Sequence, residues 1–268
     1  MPICTILLKE TPLSSVSYLS EPDRYSFFNI GLLSGTKSIV LLCLFCLSSE
    51  IGGSQSLDYK DIFVKDWGKA EIFLNENHEW IKATLEKFDV PYKETISVVF
   101  PELVRYSALQ DKIEITLLKA LYINLGEDYA NFSIGSFQMK PTFAEKIREA
   151  ADNFPEFKNR EYLKSLSSFD DIKTYRASII QDLEKPETEI LYLIIFIKTC
   201  EKQFSLKKMK INDKIKFLAA AYNFGFWKTK GQIDSVINKK YFRTSLAGTV
   251  KYSYADVSLF WYNNSSDE

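Results

Sequence analysis

Apolar residues recur along this chain mostly at helical intervals. In "WGKAEIFLNENHEWIKATLEKF", Trp67, Ala70, Phe73, Leu74, Trp80 and Ile81 share one stripe of a 3.6-residue period, with a polar break after Leu74. "YKETISVVFPELVRYSAL" carries a second stripe, in which Ile96, Val99, Leu103 and Tyr106 are expected to be buried. Pro101 should kink that helix or begin a new one, since it lacks an N–H and crowds the preceding turn. "DKIEITLLKALYINLG" predicts a helix over 112–125 that stops at Gly126. A short helix is expected over 142–153. "ETEILYLIIFIKTCEKQF" is apolar on nearly every side, the pattern of a helix buried in the middle of a domain. "NDKIKFLAAAYNFG" offers Asn212 or Asp213 as its cap and Gly225 as its stop, whereas "YADVSLFWY" is too short to assign by pattern. Strict alternation is nowhere sustained and no repeat period is visible. The expectation is one all-α domain wrapped round a central buried helix.

Ahead of these helices the pattern changes. Lys37 precedes an apolar run over 38–47, far short of the ~20 residues that span a bilayer and suited to the h-region of a secretory signal. Ser54 and Ser56 place small residues at the −3 and −1 positions of a cleavage site before Leu57. Residues 1–56 are therefore expected to be an overlong start plus a signal peptide, and 57–268 the folded domain. That predicts an exported protein, periplasmic or extracellular, with no stable membrane span once the signal is removed.

Charge and rare residues narrow the chemistry. Thirty-four basic residues against thirty-five acidic ones leave a net charge of −1, which gives nucleic acid no electrostatic footprint to follow. Of the four cysteines only Cys200 lies beyond the apolar run, so the domain holds no internal disulfide. His78 is the single histidine, which leaves little from which to build a His-dependent triad or a multi-histidine metal site.

Glu102 interrupts the apolar run "SVVFPELVRYS". Two readings compete at this point. A solvated glutamate in the first turn of a helix beginning at Pro101 would be favoured by the helix dipole. A carboxyl group at the edge of an apolar face would instead lose hydration and hold its proton near neutral pH, as a general acid must. Further along, "NFSIGSFQMKPTFAEKI" sets Gly135, Phe137, Gln138 and Met139 just before a proline and a helix start. One absent side chain, two apolar ones and an amide make a mixture suited to lining a cleft.

Three segments bear on the choice. "GSFQM" resembles the Gly-x-Met-Gln type loop of lysozyme-like lytic transglycosylases, with Phe137-Gln138-Met139 in permuted order. "LAAAYNFG", 218–225, resembles the Ala-Ala-Tyr-Asn-x-Gly segment of that family, and "TVKYSYADVSLFWY" its late helix, from which a tyrosine reaches back to the catalytic glutamate. The order glutamate, loop, Tyr-Asn helix, tyrosine is kept, and the resemblance spans roughly Tyr92 to Tyr262. It implies a lysozyme-like helical fold and cleavage of the β-1,4 bond between N-acetylmuramic acid and N-acetylglucosamine in peptidoglycan glycan strands. Glu102 would be the single acid and base, the product would be a 1,6-anhydro sugar, and no metal or cofactor would take part. Gly135 would let backbone approach the glycan, Gln138 would bond an N-acetyl or hydroxyl group, and Phe137 and Met139 would pack on a sugar face or under the loop. Tyr222 and Tyr254, with Tyr252 as competitor, would bond Glu102 or orient sugar, and Asn223 would anchor the helix end.

The chain departs from the family in three places. Leu103 stands where a serine usually follows the glutamate, Glu102 and Gln138 are 36 positions apart, and Ser133-Ile134-Gly135-Ser136 replaces a Gly-Ala-x-Gly pattern. Two alternatives follow: a lysozyme-type hydrolase using Glu127 or Asp128 to position water, and a non-catalytic peptidoglycan-binding protein.

Overall fold

In a computed structural model, which describes residues 57–108, 112–130, 132–158, 160–243 and 249–266, the apolar stripes become helices. The proposed signal region, residues 1–56, lies outside the described residues. Helix α1 (Tyr59–Glu86) starts where Asp58 accepts hydrogen bonds from the Lys60 and Asp61 N–H groups, and it bends at Val64. Helix α2 (Tyr92–Ala108) continues past Pro101 as one element, so no new helix begins there. Tyr106, expected inside, is 40% exposed, while every residue from 95 to 104 is buried. The reason is position along the axis rather than face. The middle of α2 is enclosed on all sides, and its last turn emerges from the core.

Helix α3 (Lys112–Leu125) ends at Gly126, whose φ of 96° lies in the region L side chains avoid. Helix α4 (Pro141–Ala151) begins with proline at a first-turn position, where no N–H is needed. Helix α5 (Ile172–Leu183), capped by Asp171, has no counterpart in the pattern reading, although Ile172, Tyr175, Ile179, Ile180 and Leu183 keep helical spacing. Helix α6 (Pro186–Phe204) is the buried helix expected at the centre, packed by α1, α4, α5 and α7 (Ile211–Phe224). Asn212 and Asp213 lie inside the first turn of α7 rather than capping it, since Lys210 holds the cap position without a side-chain bond. Gly225 ends α7 at φ 122°.

A short helix α8 (Lys230–Asp234), closed by a Thr229–Gln232 capping box, leads to two brief antiparallel strands, β1 (Lys240–Phe242) and β2 (Tyr252–Ser253). They are too short to leave an alternating signature in sequence. Helix α9 (Tyr254–Asn264) follows directly, its Asp256 N–H bonded to the Ser253 hydroxyl. The described chain is thus all-α in character, with α2 as a second enclosed helix packed by α1, α7 and α9. Aromatic rings tie that half together: Trp67 meets Phe100 edge-on at 4.5 Å, and Phe100 stacks on Trp261 at 5.1 Å. Each such pair adds about 0.5–1.5 kcal/mol beyond its buried area. Among the described residues no helix is long and apolar enough to cross a membrane.

A buried ionic network ties α4, α5 and α6 together. Arg148, 1% exposed, donates to Asp182 Oδ2 at 2.6 Å, to the Tyr192 hydroxyl at 2.9 Å and to Ser178 Oγ at 2.9 Å. The Tyr192 hydroxyl closes the triangle on Asp182 at 2.9 Å. Removing one partner would strand the other charge in the core. Asp182→Ala should therefore cost about 3–5 kcal/mol of unfolding free energy. A loss below about 1 kcal/mol in denaturant titration would show the network to be dispensable.

Candidate active site

The 134–139 segment folds as a tight hairpin. Ile134 and Met139 exchange both backbone hydrogen bonds, at 2.9 and 3.0 Å, and Gly135 turns the chain at φ 77°. A Cβ on Gly135 would collide with the Glu189 carboxyl and the Leu183 carbonyl. Glu189, in the first turn of α6 and fully buried, receives the Ser136 N–H at 3.0 Å and the Phe137 N–H at 3.2 Å. The Tyr222 hydroxyl donates to the Phe137 carbonyl at 2.7 Å. Gln138, at φ 50°, folds its amide back to donate to the Gly135 carbonyl at 2.9 Å. Two helices therefore hold the hairpin by its backbone: α6 through a carboxyl group and α7 through a phenol.

Glu102 sits opposite on α2, 3% exposed. Arg105, one turn on, points Nη1 at both carboxyl oxygens, at 3.1 and 3.2 Å, with its guanidinium over the Phe242 ring at 5.0 Å. Burial pushes the Glu102 carboxyl above the usual carboxylate range, and the charges of Arg105 and Lys140 and a contact with Tyr254 pull against it. Burial is the larger effect, so Glu102 binds its proton more tightly than a solvated glutamate. Tyr254 lies behind it, donating its one proton to the Val98 carbonyl at 3.1 Å. The phenol oxygen can accept from a protonated Glu102, and the proton can turn towards the carboxylate once Glu102 ionises. Burial, with Glu102 next, drives both Tyr222 and Tyr254 well above the ordinary phenol range, so both remain neutral donors.

Glu102, Gln138, Met139, Lys140, Tyr222 and Asn223 line one cleft of about 130 Å³, with Arg105 in its wall and Phe224 and Trp227 at its edge. Both edge aromatics are exposed. Five of the residues singled out in sequence thus share one cleft, whereas Gly135, Phe137 and Tyr254 stand behind the lining. Phe137 is fully buried, its ring against Phe73 at 6.1 Å. Of the two late tyrosines Tyr254 approaches Glu102, and Tyr252 packs edge-on against Tyr59 and Phe63. Glu127 and Asp128 line a second hollow of about 290 Å³ that shares Lys140 and Thr142 with the first.

No family model, curated protein or solved structure matches this chain. The chemistry of the cleft has to be read from its own side chains.

Sequence reasoning missed Glu189, Arg105, Lys140 and Trp227. Glu189 carried a visible signal, a charge entering the most apolar helix of the chain, but the helix dipole already accounts for an acidic first turn. Arg105 was legible as a cation three positions after Glu102, the spacing at which helical side chains meet. Nothing in the local pattern distinguishes Trp227 from a core aromatic. Among the described residues no three His, Cys, Asp or Glu side chains converge as a metal site would need. What the cleft offers is one dry carboxyl group able to give up a proton and take one back, with amide and phenol groups around it.

Proposed function

We propose that this chain is a divergent lysozyme-like lytic transglycosylase that cleaves the N-acetylmuramic acid–N-acetylglucosamine bond of peptidoglycan. One observation carries the reading: the Glu102 carboxyl, 3% exposed, borders a cleft that Gln138, Tyr222 and Asn223 also line. Protonated Glu102 would give its proton to the leaving glycosidic oxygen as the C1–O bond breaks. The resulting carboxylate would then take the proton from the muramoyl C6 hydroxyl while that oxygen closes on C1. Two-carboxylate glycosidases divide these tasks between an acid and a base or nucleophile. Here one group would do both in sequence, and the Tyr254 phenol is poised to stabilise the intervening carboxylate. Gln138 and Asn223 would bond acetamido or hydroxyl groups, and the exposed faces of Phe224 and Trp227 suit the apolar faces of sugar rings. Leu103 supplies no hydroxyl beside the acid, so substrate orientation would fall to these other groups. A substrate in the cell wall calls for export, the task expected of the 38–47 run.

The second hollow keeps a hydrolase reading in play, because Glu127 and Asp128 could hold a water in a hollow that shares Lys140 and Thr142 with the cleft. Mass spectrometry of peptidoglycan digested by the native protein separates the readings. Muropeptides with 1,6-anhydro ends are the expected product. Reducing ends would make it a hydrolase, and wall binding without released fragments would make it a non-catalytic binder.

A further inference from the structure

We propose that Phe242 is the seat of Arg105: the face of its ring fixes the guanidinium beside Glu102, which makes Phe242 a positioning residue for the acid although it does not line the cleft. The inference rests on the reading of Glu102 as the acid and adds a residue that tunes it.

Arg105 has reason to leave. Its side chain keeps 25% of its exposure, and an arginine gives up much rotamer freedom to stay in one place. Yet its Nη1 stands 3.1 and 3.2 Å from the two Glu102 oxygens. Spacing of three positions on α2 brings the pair within reach but does not choose between that rotamer and one turned to water. The Phe242 ring chooses. The guanidinium carbon lies 5.0 Å from its centroid, and the negative face of a ring attracts a cation lying over it.

The ring itself is held. Phe242 is 1% exposed and pairs with Tyr252 across the two strands. Phe63 of α1 meets it edge-on at 5.7 Å, and Tyr254 of α9 does so at 5.8 Å. Tyr254 also backs Glu102, so a single ring meets two of the groups that act on the acid. Phe242 thereby passes the order of α1, β1 and α9 on to the cleft.

The charged and titratable groups facing Glu102 are Arg105 on its own helix, Lys140 from the hairpin end, Tyr222 on α7 and Tyr254 on α9. Helix α1 meets α2 through Trp67 on Phe100. Burial makes Glu102 cling to its proton, and Arg105 is the foremost charge set against that. A general acid works best when its proton affinity lies near the operating pH. With Arg105 swung out to water, the dry carboxyl group would hold its proton too tightly to lend it.

The test weakens the ring face and keeps its shape. In the full chain Phe242 is replaced by phenylalanines carrying one, two and three ring fluorines, which withdraw charge from the face. The Glu102 carboxyl is titrated by NMR with carboxyl-13C glutamate, its signal identified by its loss in Glu102→Gln. The midpoint should rise stepwise, reaching about half a pH unit with three fluorines, or about a threefold gain in proton affinity. In Arg105→Gln the midpoint should start higher and stay level along the series. A flat series in the native background, or an equal slope in Arg105→Gln, would overturn the seat. If Arg105→Gln does not fold, the NMR order parameter of the Arg105 Nε–H decides: a fall along the series supports the seat, and a constant value refutes it. Neither readout needs turnover. A stepwise rise in a protein that leaves peptidoglycan uncut would refute the transglycosylase and keep the seat.

Discussion

Glu102→Gln is expected to reduce muropeptide release from purified peptidoglycan by about 10²–10⁴-fold, the usual contribution of a positioned acid and base. The amide has the size of the carboxyl group and can still accept a bond from Arg105, but it has no proton to lend. The fold should survive, because a neutral group in a dry site carries less desolvation cost than a charge. The sign of the pH dependence follows from the raised affinity of Glu102 for its proton. The folded chain binds that proton more tightly than the unfolded one, so the stabilising contribution is complete below the ordinary carboxylate range and is lost as pH rises through the raised value. Activity should fall over the same window, since the acid form is the working form. Release rates across a pH series, alongside denaturant midpoints, check both. Undiminished release by Glu102→Gln would remove Glu102 from the chemistry altogether.

Gly135→Ala should destabilise the domain by about 3 kcal/mol or more, well above the usual effect of a single methyl group. At φ 77° an L side chain already costs about 1–2 kcal/mol. The added carbon also meets the Glu189 carboxyl and the Leu183 backbone carbonyl, and neither can yield freely. Glu189 is fully buried, held by two hairpin N–H groups at 3.0 and 3.2 Å. Displacing it would leave those donors without partners in a dry interior, at about 1–3 kcal/mol each. Glu189→Ala makes room for the methyl but strips the hairpin of its acceptor, so the double variant should lose clearly less than the two singles together. Additive losses would mean the two residues do not meet in solution. A Gly135→Ala protein within about 0.5 kcal/mol of native would mean the hairpin tolerates another backbone geometry. Because the hairpin presents Gln138 and Met139 to the cleft, substrate affinity should fall with stability.

Legibility differed from element to element for definite reasons. Helices α1, α3 and α6 were plain because their apolar positions recur over several turns, in α1 despite the polar break after Leu74, and α6 also announced its burial by being apolar all round. Helix α5 was legible as a stripe at 172, 175, 179, 180 and 183 and was missed, but why Asp182 can be buried beside that stripe was not, because its partner Arg148 lies 34 positions earlier. At Glu102 the sequence left solvent and burial as competing accounts, and local pattern had no means to choose. The enclosure of 95–104 comes from helices distant in the chain, as the Tyr254–Val98 bond across 156 positions makes concrete. The hairpin residues drew notice as odd company. Yet Gly135 and Phe137 turned out to face the Glu189 carboxyl and the core, and the glycine is explained by an acid more than fifty positions on.

By itself, then, the sequence determined where helices run and which faces are apolar, because periodicity is written into neighbouring residues and needs no partner to be read. Which carboxyl groups are dry, which cation stands beside Glu102 and which tyrosine backs it were decided only by tertiary structure. Desolvation and pairing depend on what arrives from elsewhere in the chain, and a local pattern holds no record of it.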